Sequence, residues 1–117
     1  MSMTEIRTIE EWDKIKTESN NQHEVIVFKF SPVCTISFTA GKIIETWLNY
    51  GKINKDLKIV KVNVIQSRSL SNQIEKETSI RHESPQIIWF SKDGNIKWHD
   101  SHFMITELNL TKQLELN

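Results

Sequence analysis

The feature that most constrains this chain is an apolar run that stops abruptly in front of its single cysteine. Residues 25–30 are almost all apolar and are rich in β-branched and aromatic types, a pattern typical of a central strand covered on both faces. The Ser31-Pro32 pair interrupts that run. From Cys34 to about Asn49, apolar residues recur at helical spacing: Ala40, Ile43, Ile44, Trp47 and Leu48. The sequence therefore predicts a strand, a sharp break and a helix that begins at the cysteine.

The remainder of the chain alternates predicted helices and strands. These further elements are an edge strand at 3–7, a helix capped by Thr8 and Glu11 that runs to about Ser19, a strand at 58–65, a helix from Ser67 or Ser69 to about Ile80, strands at 86–90 and 96–99 joined by an Asp93-Gly94 turn, and a helix from Thr106 to about Leu114. Crossover helices favour parallel strands, and the last hairpin adds an antiparallel edge. We expect an α/β fold with a mixed four- or five-stranded sheet flanked by helices.

Length and charge narrow the class of protein. A chain of 117 residues is the size of one domain, so residues 1–117 are predicted to form one domain. Fifteen basic and fifteen acidic residues cancel and are scattered, which disfavours a nucleic-acid partner. The apolar runs are too short for a membrane span, and the first residues lack the pattern of a secretory signal. We therefore expect no membrane association and a cytoplasmic location.

The histidines and the lone cysteine do not form a metal-binding pattern. One cysteine cannot make an internal disulfide, and four histidines without a second cysteine lack zinc-ligand spacing. His99 and His102 lie three residues apart, but such a pair is more often structural or solvated. We expect no metal. The four tryptophans are expected to pack in or around the core: Trp12, Trp47, Trp89 and Trp98.

A cysteine at the start of a helix has two interpretations. Unpaired amides and the helix dipole there favour the thiolate, and cysteines so placed have pKa values of roughly 3.5–7.5. A pKa lowered from about 8.5 to about 7 would speed exchange only about 3-fold, because the more acidic thiolate is also less nucleophilic. The alternative is that Cys34 is a small buried apolar residue. The strand, the break and the helix around Cys34 favour a reactive thiol.

Two further positions bear on that chemistry. Ser37 stands three residues after Cys34, where a dithiol oxidoreductase carries its second cysteine. The spacing leaves open whether Ser37 donates a hydrogen bond to the sulfur or is an ordinary polar residue of a first helical turn. Pro85 follows Ser84 at the start of the predicted third long strand. Only about 5–6% of X-Pro bonds are cis, so the dipeptide by itself favours a trans bond.

These segments together resemble the YtxJ family of monothiol bacilliredoxins. The matching segments are Lys29-Phe30-Ser31, Cys34-Thr35-Ile36-Ser37, Glu83-Ser84-Pro85-Gln86, Asp93-Gly94 and Trp98-His99-Asp100-Ser101-His102. The likeness extends from about Ile6 to Leu114. It implies a thioredoxin-like fold, which also fits the predicted order of elements, and a cis Ser84–Pro85 bond beside the active sulfur.

The resemblance also implies a function. By this resemblance the chain is a thiol–disulfide oxidoreductase that removes bacillithiol, its thiol co-substrate, from S-thiolated client proteins. Cys34 is then the nucleophile and Ser37 completes its motif, while the expected substrate-binding residues are Thr35, Ile36, Ser84 and Pro85. Since Ser37 cannot resolve the adduct, a low-molecular-weight thiol or a partner redoxin must do so.

Two departures from the family pattern matter. Thr35 stands where the family usually has proline, and Phe30 where it often has histidine. A histidine there could tune the sulfur, whereas Thr35 frees an amide next to it. The alternative function is a non-catalytic, thioredoxin-like binding module in which Cys34 is unreactive and the Pro85 face docks a partner.

Overall fold

The computed structural model describes residues 1–116, so Asn117, the last residue of the predicted domain, lies outside the described residues. The elements are β1 (Thr4–Glu5), α1 (Ile9–Ser19), β2 (Glu24–Phe30), α2 (Thr35–Tyr50), β3 (Leu57–Asn63), α3 (Arg68–Thr78), β4 (Gln86–Phe90), β5 (Ile96–Ser101), a 3-10 turn (His102–Met104) and α4 (Glu107–Leu114). Among these residues no helix is long and apolar enough to cross a membrane.

The five strands form one mixed sheet in the order β1-β3-β2-β4-β5. The apolar strand β2 lies at its centre, parallel to β3 and antiparallel to β4. β1 pairs in parallel with β3, and β5 pairs antiparallel with β4. The predicted mixed α/β sheet with flanking helices and a central second strand is thereby confirmed.

Two apolar layers cover the sheet because alternate residues of β2 point to opposite faces. Ile26 and Phe28 pack with α2 and α4, where Trp47 and Leu110 are buried. Val25 and Val27 pack on the other face, where the buried apolar residues contributed by α1 and α3 are Trp12, Leu70 and Ile74. Strand β2 is thus enclosed on both sides, as its almost entirely apolar run predicts.

Local signals set most element boundaries. The amide of Glu11 donates to the Thr8 hydroxyl, and the Thr8 amide donates to the Glu11 carboxylate, which completes the predicted capping box. β3 ends at Asn63 rather than at residue 65, because the Asn63 side chain accepts hydrogen bonds from the amides of Ile65 and Gln66 and turns the chain. β5 continues to Ser101, beyond the predicted end at residue 99.

The tryptophans behave as predicted. Trp12, Trp47 and Trp89 are buried, and Trp98 is partly buried against the core of the α2 face. Trp89 also donates from its ring nitrogen to a Glu24 carboxylate oxygen at 2.6 Å. None of the four is a free aromatic platform.

Candidate active site

Cys34 lies where the central strand passes into helix α2. Three residues separate it from the end of β2, and it is the N-cap residue of the 16-residue helix. Its amide donates to the Ser31 carbonyl at 3.3 Å, while its carbonyl accepts from the Phe38 amide at 3.1 Å. These bonds fix the cysteine backbone at the helix start, at the edge of the sheet where β2 and β3 end.

The helix start favours the thiolate form of Cys34. The amide of Ser37 is the main cause that lowers the pKa of Cys34, and the amide of Ile36 and the Ser37 hydroxyl act in the same direction, while desolvation opposes them. The lowering groups are hydrogen-bond donors at the positive end of the helix, and they stabilise the negative charge of the sulfur. Cys34 as a whole is half-buried, so it is not enclosed in the core.

Ser37, in the first turn of α2, is buried and its hydroxyl contacts two other residues. The side chain is buried, and its hydroxyl oxygen accepts a hydrogen bond from the Ser31 amide at 3.1 Å. The same oxygen lies 3.4 Å from the hydroxyl oxygen of Ser84. Ser37 therefore connects the loop before Cys34 to the segment before Pro85. The spacing left the role of Ser37 open, and the structure adds its contacts to Ser31 and Ser84.

The Ser84–Pro85 peptide bond is cis, as the family resemblance implied. Pro85 is buried, and its carbonyl accepts from the His102 amide at 3.0 Å. The bond immediately precedes β4, and Ser84 meets Ser37 across the site. The structure thus brings together Cys34, Ser37, Ser84 and the proline segment around the start of α2.

The remaining predicted site residues lie in the first turn of α2. Thr35 is exposed and its backbone carbonyl accepts a hydrogen bond from the Thr39 hydroxyl at 3.2 Å, whereas Ile36 is half-buried. Both flank Cys34 in sequence, and the amide of Ile36 also faces the sulfur charge. Their positions are compatible with contact to a bound disulfide.

Phe30, at the position where the family often has histidine, belongs to an apolar stack. Its ring lies 6.0 Å from that of Phe28, and the Lys61 ammonium lies 5.6 Å from the Phe30 ring centroid. A cleft of about 200 Å³ opens beside Phe30 and is also lined by Ser37 and Phe38. Activation of the sulfur in this chain therefore comes from the helix start and not from a side chain at position 30.

A larger cleft lies elsewhere and contains no thiol. It measures about 730 Å³ and is lined by Trp12, His23 and Phe90, among others, at the end of the sheet where β2 begins. Cys34 lies at the other end of β2, so the larger cleft is separate from the thiol chemistry. Among residues 1–116 no group of three or more His, Cys, Asp or Glu side chains could hold a metal ion.

Comparison with known proteins identifies the family. The family model described as monothiol bacilliredoxin BrxC matches residues 4–110. The chain belongs to the monothiol bacilliredoxin family. A match of this extent includes the cysteine turn, the cis-proline segment and all five strands of this bacilliredoxin.

Solved structures show the same fold. One described as a candidate oxidoreductase with a thioredoxin fold is 28% identical, has a TM-score of 0.83, and the match covers 97% of this chain and 94% of that one. Fasciola hepatica thioredoxin is 18% identical with a TM-score of 0.75, covering 96% of both chains. A thioredoxin mutant from Halobacterium salinarum is 17% identical with a TM-score of 0.73, covering 97% of this chain and 88% of that one. The bacilliredoxin thus has a thioredoxin fold, and family and fold together support a thiol oxidoreductase.

The sequence analysis missed a buried polar cluster on the α3 side of the site. Lys29 is enclosed within the sheet, and its ammonium donates to the Ser71 carbonyl at 3.0 Å. The Ser71 hydroxyl in turn lies 3.4 Å from Nδ1 of His82. A lysine within an otherwise apolar central strand is the one signal in the sequence that could have drawn attention to this cluster.

Proposed function

We propose that this bacilliredoxin removes bacillithiol from S-thiolated proteins, with Cys34 as the nucleophile. The observation that carries the proposal is the half-buried thiol at the N-cap of α2, whose pKa is lowered first by the Ser37 amide. The family match and the fold support thiol exchange as the class of reaction. The identity of the small thiol is inferred from the family.

The proposed reaction is a single thiol–disulfide exchange. The Cys34 thiolate attacks the bacillithiol sulfur of the mixed disulfide, forming a new S–S bond between Cys34 and bacillithiol. The bond from bacillithiol to the client breaks, and the client leaves as a thiolate that takes a proton from solvent. No net oxidation occurs, because one disulfide and one thiol replace one disulfide and one thiol.

The lowered pKa assists both directions of this exchange. It raises the fraction of Cys34 present as thiolate near neutral pH, and it makes Cys34 a better leaving group when the adduct is cleared. Thr35 and Ile36 follow Cys34 in the first turn of α2, and Ser84, which precedes Pro85, lies 3.4 Å from Ser37 of the same turn. These four residues are the proposed contacts of the mixed disulfide. Ser37 supports the thiolate through its amide and hydroxyl.

The reaction stops at the adduct. Cys34 is the only cysteine of the chain, and the residue one turn further along α2 is a serine. A hydroxyl cannot displace a thiol from a disulfide, so an external thiol or a partner redoxin has to regenerate Cys34. The proposed site of action is the cytoplasm, where thiols are kept reduced.

The test is incubation with a client protein that carries bacillithiol on one cysteine. Intact mass spectrometry is expected to show a one-to-one bacillithiol adduct on the wild-type protein and free client thiol. Cys34→Ala is the control and is expected to give neither. If the wild-type protein leaves the client unchanged, or acts no faster than an equal concentration of free bacillithiol, the binding-module alternative replaces the enzyme.

A further inference from the structure

Lys29 is a charged side chain in the interior whose role the proposed exchange does not use. It is 0% exposed, in the next-to-last position of β2. Its side chain points to the α3 face, because Phe28 and Phe30 on either side point to the α2 face. Burying an ammonium is costly unless it is paired, so its presence here requires compensating contacts.

The compensating contacts of Lys29 come from helix α3. The Lys29 ammonium donates to the Ser71 carbonyl at 3.0 Å, and Glu75 supplies the nearby negative charge. Ser71 and Glu75 are four residues apart and so share one face of the helix. Lys29 therefore links this face of α3 to the central strand β2 through one hydrogen bond and one charge interaction.

The same two helix residues hold the segment before the cis proline. The Ser71 hydroxyl lies 3.4 Å from Nδ1 of His82, and a Glu75 carboxylate oxygen accepts from the His82 amide at 2.7 Å. His82 is two residues before Ser84, whose hydroxyl oxygen lies 3.4 Å from that of Ser37. A continuous set of contacts therefore runs from Lys29 to the turn beneath the active sulfur.

Gln86 closes the cluster from the neighbouring strand. It is the β4 residue directly opposite Lys29, so the two side chains lie on the same face of the sheet. Its amide nitrogen donates to the Arg81 carbonyl at 2.9 Å, which folds the segment 81–84 back onto β4. Its carbonyl oxygen is buried with no partner among residues 1–116. The segment 81–84 is therefore bonded to α3 through His82 and to β4 through Gln86.

We propose that Lys29 is a positioning residue for thiol exchange, which holds the segment 81–84 on α3 and so sets where Ser84 and Pro85 meet a client disulfide. This proposal rests on the proposed function, because it concerns the geometry of that exchange. Lys29 does not touch the sulfur; it acts through Ser71, Glu75 and His82.

The charge state of Lys29 gives this role a pH dependence. Burial lowers the pKa of Lys29 to about 8, against the opposing effect of Glu75. Burial is the largest cause that lowers the pKa of His82, followed by the Lys29 charge. Glu75 and Glu83 oppose this lowering, and Arg68 adds to it. From pH 7 to pH 9 the ammonium becomes an uncharged amine, and Glu75 loses its buried counter-charge.

The experiment compares two reactions of the same sulfur. One is removal of bacillithiol from a protein mixed disulfide, and the other is alkylation of Cys34 by iodoacetamide, which needs no docking. In Lys29→Met, we expect client exchange to fall about 10-fold, within the range that small misplacement of reacting groups can cause, while alkylation changes less than about twofold. Lys58→Met, which removes a half-buried lysine from β3, is the matched control and is expected to change neither.

Two further readouts separate this proposal from a general loss of stability. Hydrogen exchange of the His82 amide is expected to accelerate in Lys29→Met and to stay unchanged in Lys58→Met. In the wild-type protein, the ratio of client exchange to alkylation is expected to fall from pH 7 to pH 9. A constant ratio overturns the proposal, and this arm needs no variant to fold.

The outcomes also distinguish the two proposals. If client exchange and alkylation fall together in Lys29→Met, or if exchange and the His82 amide are both unchanged, Lys29 is not a positioning residue. In a third outcome, the wild-type protein does not act on the client, but hydrogen exchange of the His82 amide still accelerates in Lys29→Met. The proposed function then fails, whereas the link from Lys29 to the segment 81–84 is supported.

Discussion

The hydroxyl oxygens of Ser37 and Ser84 lie 3.4 Å apart, at the meeting point of helix α2 and the cis-proline segment. Ser37 also accepts from the Ser31 amide at 3.1 Å. One buried serine thus joins the strand–helix turn, the helix carrying Cys34 and the segment that precedes β4. In a dithiol enzyme a second sulfur would occupy this position in the sequence.

Replacement of Ser37 by alanine is expected to move the pKa of Cys34 back toward its usual value. The hydroxyl of Ser37 lowers that pKa, but the Ser37 amide has the larger effect and is retained in the variant. The change is therefore partial, and iodoacetamide alkylation near pH 7 is expected to slow about twofold. Ser84→Ala, which leaves the Ser31–Ser37 bond intact, is the control. Faster alkylation of Ser37→Ala would contradict the assigned role.

Replacement of Ser37 by cysteine is expected to convert the monothiol site into a dithiol site. Positions 34 and 37 are one helical turn apart, and Ser37 faces inward beneath the first turn of α2. After attack by Cys34, the new thiol can displace the small thiol and leave an internal disulfide. Non-reducing mass spectrometry is expected to show a loss of two hydrogens and no adduct. A persistent one-to-one adduct would mean that the sulfurs do not meet.

Lys29 is expected to make the free energy of unfolding rise with pH between about 8 and 10.5. Its folded pKa of about 8 lies below the usual value of 10.5, so the unfolded chain binds more protons between these pH values. The free energy of unfolding should therefore rise from pH 8 to 10.5, by about 2 kcal/mol relative to Lys29→Met. Urea unfolding of both proteins across this range measures the difference. A parallel dependence in the two proteins would exclude a shifted Lys29.

The capping box of α1 gives a prediction remote from the sulfur. In Thr8→Ala the Glu11 amide loses its acceptor, and the free energy of unfolding is expected to fall by about 1 kcal/mol. Thr8→Ser keeps the hydroxyl and serves as the control, with little change expected. Cys34 alkylation should be unaffected in both variants, since α1 and Cys34 lie at separate places in the fold. Equal stability of Thr8→Ala and wild type would contradict the cap assignment.

The sequence by itself determined the elements that depend on near neighbours in the chain. The apolar run of β2, the Thr8–Glu11 box and the helix that starts at Cys34 are all local patterns, and the structure has each of them. The cis Ser84–Pro85 bond was different, because the dipeptide alone favours trans and only the family resemblance indicated cis.

Tertiary structure decided which polar side chains are enclosed and what they contact. Lys29 meets Ser71 across 42 positions of sequence, and the Glu24 carboxylate meets Trp89 across 65. Neither partner follows from periodicity, because a lysine or glutamate in a strand is expected to face solvent unless another element supplies a counter-charge or hydrogen bond. Packing of α3 and β4 against β2 supplies those partners, and it also brings Ser84 to Ser37. The place of Cys34 at a helix start is therefore set by local sequence, whereas the contact between Ser37 and Ser84 exists only in the folded chain.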